Sequence, residues 1–148
     1  METYYDLRFK PNNPISSDGT IKLTWTDQVN VYEDTECSVE SYNALGSICE
    51  IDYGAKTIII HNAFEGVDTY TGPVKIVLSH VKNPETNADL QPFILETFDD
   101  FAMQFPIDKL EYEPLLECNY PCFTCSGTDK NFCKSCWAET VSVDVFLM

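Results

Sequence analysis

Along most of this chain, apolar and polar residues alternate with a period of two rather than of 3.6. In residues 4–9, Tyr5, Leu7 and Phe9 fall on one face and Tyr4, Asp6 and Arg8 on the other. Pro11-Asn12-Asn13-Pro14 ends that run, and Ser16-Ser17-Asp18-Gly19 makes a turn. Residues 21–26 (IKLTWT) alternate again and place Ile21, Leu23 and Trp25 inward. Residues 56–61 (KTIIIH) are β-branched, and residues 74–81 (VKIVLSHV) are apolar on both faces, as a central strand would be. Two more strands are predicted over 93–98 (FILETF) and 101–105 (FAMQF), parted by Asp99-Asp100. The connections are rich in Gly, Asn, Asp and Pro. Helical periodicity is nearly absent, and only residues 33–44 have room for a helical turn or two.

About seven or eight short strands with turn punctuation predict an all-β protein, an immunoglobulin-like β-sandwich. An α+β domain is the competing reading. Composition changes near Pro114. The reading places the sandwich at 1–113, a small cysteine-rich module at 114–140 and a terminal strand at 141–148. That last segment alternates again, with Val141, Val143, Val145 and Leu147 on one face. It begins five residues after Cys136, so its own sandwich looks hard to reach. The expectation is that it adds to an edge of a neighbouring copy.

Charge narrows the partners. The 148 residues carry 9 Lys+Arg against 24 Asp+Glu, a net charge of −15, and Arg8 is the single arginine. Such a surface repels nucleic acid and anionic lipid. With 44% hydrophobic and 13% aromatic residues, the chain is too apolar for an acidic disordered tail. No stretch of 18 apolar residues predicts a membrane span. The first twenty residues show no apolar signal core.

The seven cysteines point to an oxidising compartment all the same. Cys37 and Cys49 close a short loop, and a bridge there contributes about 3 kcal/mol in the loop-entropy account. Two buried thiols are the alternative. The other five are Cys118, Cys122, Cys125, Cys133 and Cys136. Two C-x-x-C pairs invite a zinc site of four thiolates. The seven-residue separation of the pairs is short for such a site, and it leaves Cys118 without a role. Disulfides are the favoured reading, with no metal or other cofactor. Cys118 is the odd cysteine, bonded to another module or chain, or left as a free thiol. An odd count also leads us to expect a segment of something longer.

The string Pro121-Cys122-Phe123-Thr124-Cys125-Ser126-Gly127, followed by Cys133-Lys134-Ser135-Cys136-Trp137, resembles the furin-like cysteine-rich repeat of growth-factor-receptor ectodomains. That resemblance implies bridges from Cys122 to Cys133 and from Cys125 to Cys136. The strand-and-turn order before it, with Asn13-Pro14-Ile15, Asp18-Gly19, Cys37, Cys49 and Gly72-Pro73-Val74-Lys75-Ile76, is similar to sandwich repeats set between furin-like modules in large ciliate surface proteins. It implies a repeated extracellular structural module.

Catalytic chemistry finds little footing. There is no G-x-S-x-G elbow, and His61 and His80 each sit in a predicted strand. The carboxylate pairs Glu33-Asp34, Asp99-Asp100 and Glu111/Glu113 read as solvated surface rather than as weak calcium ligands or a glycosidase pair. Asn131-Phe132-Cys133 matches only the rare cysteine form of a glycosylation site, so a glycan would sit on Ser or Thr. The expectation is a non-enzymatic structural repeat of an extracellular, filament-forming or cell-surface protein, with copies of itself as partners. The alternative is a binding or adhesion module that presents Tyr4, Tyr32, Tyr42, Tyr53 and Tyr70 to a protein or glycan. An intracellular zinc protein is the third reading.

Overall fold

A computed structural model of the chain describes residues 3–82, 91–112, 122–125, 133–136 and 141–144. Among them the protein is all-β. In chain order the strands are β1 (Thr3–Phe9), β2 (Ile15–Ser16), β3 (Thr20–Thr24), β4 (Asn30–Glu40), β5 (Ile48–Asp52), β6 (Thr57–His61) and β7 (Thr69–Tyr70). They continue as β8 (Val74–Lys82), β9 (Phe93–Phe98), β10 (Pro106–Tyr112), β11 (Cys122–Cys125), β12 (Cys133–Cys136) and β13 (Val141–Asp144). One sheet has the order β13-β1-β8-β4 and the other β10-β9-β3-β6-β5. Short pairs β2-β7 and β11-β12 stand apart from them.

The alternation read from the sequence sets which side chains face inward. Tyr5, Leu7 and Phe9 of β1 and Val74, Ile76 and Leu78 of β8 are buried. They share one cluster with Ile21 and Leu23 of β3, Ile58 and Ile60 of β6, and Phe93 and Leu95 of β9. The two sheets thus bury one common core. β8 lies between β1 and β4, and its burial alternates, with Val74, Ile76 and Leu78 buried and Lys75, Val77 and Ser79 half-buried, so one of its faces enters the core. Burial pushes the Tyr5 phenol far above its ordinary value.

Three expectations need correction. Residues 33–40 of the stretch 33–44 are strand, because β4 runs through to Glu40, and only its end turns, where the Ser47 N–H donates to the Asn43 carbonyl at 3.1 Å. The weak period there comes from a bulge, where the register against β8 shifts between Val31 and Glu36. Buried Thr35 organises it: its hydroxyl accepts from the Tyr32 N–H at 2.9 Å and donates to the His80 carbonyl at 3.0 Å. His80 completes the bulge with φ 56°.

Residues 101–105 are a loop rather than a strand. The Asp100 carboxylate accepts from the N–H groups of Gln104 and Phe105, both at 2.9 Å, and Met103 turns with φ 55°. Those local bonds outcompete the strand propensity of FAMQF. The missed partner is β10, which pairs with β9 on the far side of this loop.

The third correction concerns the terminal strand. β13 pairs in parallel with β1 of its own sheet, with Tyr5 opposite Val141, Leu7 opposite Val143 and Arg8 opposite Asp144. A neighbouring copy is not needed to complete it. Residues 10–140 separate the two strands, far more than the crossover that a parallel pair requires. Val145 and Leu147 lie outside the described residues.

Candidate functional site

Among the described residues the fold is cross-linked by the Cys37–Cys49 disulfide, with Cα atoms 6.1 Å apart. Cys37 lies on β4 and Cys49 on β5, the edge strands of the two different sheets. The bond therefore closes one open side of the stack. The turn between these strands is held to the β6 end of the fold. Asn43 donates its N–H to the Ala63 carbonyl at 2.9 Å, and the Ser41 hydroxyl donates to the same oxygen at 2.7 Å.

The other cysteines are placed only by backbone. β11 and β12 form an antiparallel hairpin with Cys122 opposite Cys136 and Cys125 opposite Cys133. Cys118 lies outside the described residues.

Across the four-stranded sheet, charged residues share a register row. Asp144, Arg8, Lys75 and Glu40 form one row across all four strands. Arg8 donates Nε and Nη2 to the two carboxylate oxygens of Asp6, each at 3.0 Å. Lys75 Nζ lies 3.7 Å from Asp6 and 3.2 Å from Glu40. Asp6 is buried, and the Arg8 hydrogen bonds hold its carboxyl below the ordinary value of 3.8 against the opposing pull of burial, with Lys75 adding to the effect. The alternation already put Asp6 and Arg8 on one face. The partners on β8 and β4 depend on register, which no local pattern encodes.

Beside this row is a hollow of about 290 Å³, lined by Arg8, Glu40, Ser41, Tyr70, Pro73 and Lys75. Its cations already face carboxylates, so it offers no surplus charge to an anion. Tyr70 packs against Phe64 at 5.1 Å and against exposed Tyr42 at 6.3 Å. Tyr32 and Tyr53 are also exposed.

The remaining candidates for chemistry are occupied structurally. His61 Nδ1 is 3.2 Å from the Thr20 hydroxyl, which donates to the Asp100 carbonyl, and its ring stacks on Phe101 at 4.0 Å. His80 Nδ1 lies 3.0 Å from the Asp34 carbonyl, in the other sheet. Asp99 accepts from the Ser16 N–H, Asp100 caps its loop, and Glu111 lies 3.5 Å from Lys109. Glu33 and Asp34 are exposed on the β4 bulge. Glu113 lies outside the described residues. Among the described residues no three His, Cys, Asp or Glu side chains converge on a metal position, and no helix is long and apolar enough to cross a membrane.

No family model matches the chain, and no curated protein or solved structure is similar to it.

Proposed function

We propose that this chain is a non-enzymatic structural module of an extracellular or cell-surface protein. The observation that carries the reading is the Cys37–Cys49 bond between the edges of two sheets. A disulfide between edge strands persists in oxidising compartments and is lost in the reducing cytosol. Sequence adds the cysteine density beyond Pro114, which with its furin-like spacing supports a disulfide-stiffened segment. An immunoglobulin-like arrangement belongs to the same reading, supported by two largely antiparallel sheets bridged by a disulfide, although this bridge joins edges rather than centres. Both histidines are held by backbone or hydroxyl groups, which supports a structural rather than a catalytic role.

The test is a thiol count by mass spectrometry on denatured, unreduced protein, with alkylation before and after reduction. One reactive thiol of seven, with six released on reduction, is expected. Five or more thiols reactive before reduction, with zinc in the native protein, overturn the reading.

A binding module is the second reading, favoured by the exposed Tyr42 ring set against Tyr70 beside the hollow. Chemical-shift changes confined to Tyr42, Tyr70 and Ser41 on titration with oligosaccharides would support it. An unchanged spectrum across such a panel would count against it.

A further inference from the structure

The parallel pairing of β1 with β13 fixes how tension crosses the fold. We propose that this pair is a mechanical clamp that resists pulling between the N-terminal end of β1 and the C-terminal end of β13. The inference deepens the structural reading above and takes its biological sense from it.

The geometry is carried by register. Tyr5 faces Val141, Asp6 faces Ser142, Leu7 faces Val143 and Arg8 faces Asp144, with both strands running the same way. A pull at Thr3 draws β1 toward its N-terminal end. A pull beyond Asp144 draws β13 toward its C-terminal end. Because the strands are parallel, these are opposite directions along one axis. The load is shear, and the slanted, evenly spaced bonds of a parallel ladder share it together. An isolated backbone hydrogen bond contributes little net stability, so resistance depends on several bonds being strained at once.

The same strand meets β8 in the contrasting geometry. β1 and β8 are antiparallel, and Thr3 stands opposite Val81. A pull between Thr3 and Lys82 therefore acts on two ends lying side by side, and the pair opens one residue at a time from that end. The chain thus holds both loading geometries on one strand.

Two further features fit a clamp at this edge. Asp144 occupies the register row of Arg8, Lys75 and Glu40, which spans all four strands. The Cys37–Cys49 bond lies on β4, at the opposite edge of the sheet. It leaves the β1–β13 side to be held without a covalent link from that bond.

The experiment is single-molecule force spectroscopy on the full 148-residue chain. One tether geometry uses the two chain ends. The other uses the N-terminal end and a bio-orthogonal residue at position 82, which spares the cysteines. Forced rupture reports the unfolding barrier. With four facing pairs sharing the load, the end-to-end rupture force should exceed the peeling force severalfold, up to roughly four-fold if each pair contributes equally. Equal forces in the two geometries overturn the clamp.

Adjacent prolines supply a second readout. Successive N–H groups of an edge strand point alternately to the partner and to solvent. Of Ser142→Pro and Val143→Pro, one should lower the end-to-end force and the other should leave it nearly unchanged. Neither should alter the peeling force. Equal end-to-end forces for the two variants also overturn the proposal. A weak chain whose disulfides are intact overturns the clamp alone. A strong chain whose thiols are reduced and zinc-bound overturns the extracellular reading and leaves the clamp standing.

Discussion

Replacing Cys37 and Cys49 together by alanine should destabilise the protein by about 3 kcal/mol, chiefly by freeing the unfolded chain. The cysteines are separated by 12 residues. A closed loop of that size removes about 3 kcal/mol of unfolded-state conformational freedom at 25 °C. The native side of the balance should change little. The connecting turn is already fixed by Asn43 and Ser41 to the Ala63 carbonyl, and by the Ser47 N–H to the Asn43 carbonyl. Cys37 and Cys49 are only partly buried against the core, so the lost sulfur contacts add about 1 kcal/mol at most.

Urea unfolding at pH 7 is the assay, because reductant would also attack the other five cysteines. With a denaturant slope of about 1–3 kcal/mol/M, the midpoint should fall by roughly 1–3 M. The slope itself should rise slightly, since an uncrosslinked unfolded chain exposes more surface. A midpoint shift of a few tenths molar would refute the entropy argument. It would mean that the unfolded chain is already compact around residues 37–49, leaving the bond little freedom to remove.

Other outcomes follow from single sites. Gly19→Ala should cost about 1–3 kcal/mol in urea unfolding, because a Cβ there collides with the fully buried Ile15 side chain and lies 3.0 Å from the Ser16 carbonyl. Thr35→Ala should cost about 1–3 kcal/mol, since it strips the bulge of bonds to Tyr32 and His80, and faster amide exchange at Tyr32 should accompany the loss. The Asp6 carboxyl titrates below its ordinary value in the folded chain, so the unfolded state binds the proton more readily. Its contribution is present above about pH 4 and fades as pH falls through the lowered native value. Asp6→Asn should flatten that acid limb in unfolding measured from pH 2 to 7, and an unchanged limb would contradict the pairing with Arg8. Under force, the Cys37→Ala/Cys49→Ala chain should release about 36 Å more length than the oxidised chain. That figure is 12 residues at ~3.5 Å each, less the 6.1 Å spanned by the bridge.

The elements that were legible are those whose neighbours did not matter. β3, β6, β8 and β9 announce themselves through alternation or β-branched runs, and Ile21, Leu23, Ile58 and Ile76 are buried as that pattern requires. What escaped depends on distant partners. β4 alternates poorly because a bulge absorbs residues between Val31 and Glu36. FAMQF has strand composition, yet the Asp100 carboxylate ahead of it captures the N–H groups of Gln104 and Phe105. The row through Arg8, Lys75 and Glu40 joins residues 8, 75 and 40, and only sheet register brings them together. The C-terminal segment was recognisable as a strand, but its partner was not: a period-two pattern specifies a face and says nothing about which edge receives it.

Exposed sheet edges invite pairing with other chains, and proteins protect them by cover, charge or closure. Here the two sides of the stack are treated differently. The β4–β5 side carries a covalent bond, which cannot slip but can be reduced. The β1 side is covered by β13, which needs no oxidant but arrives only after 28 intervening residues, 113–140, have been spanned. Loop-closure cost grows slowly with length, so that long connection adds little to the penalty of docking a short strand. It does make β13 the element whose attachment is most exposed to competition from an identical strand on another chain. A net charge of −15 opposes such exchange, because two copies must approach through mutual repulsion that weakens as salt rises. High salt should therefore favour exchange of β13 between chains, read as a dimer peak in size-exclusion chromatography at 1 M NaCl that is absent at 50 mM. A chain that stays monomeric at both, at concentrations near 1 mM, would show that β13 is held by its own sheet strongly enough for charge to be irrelevant.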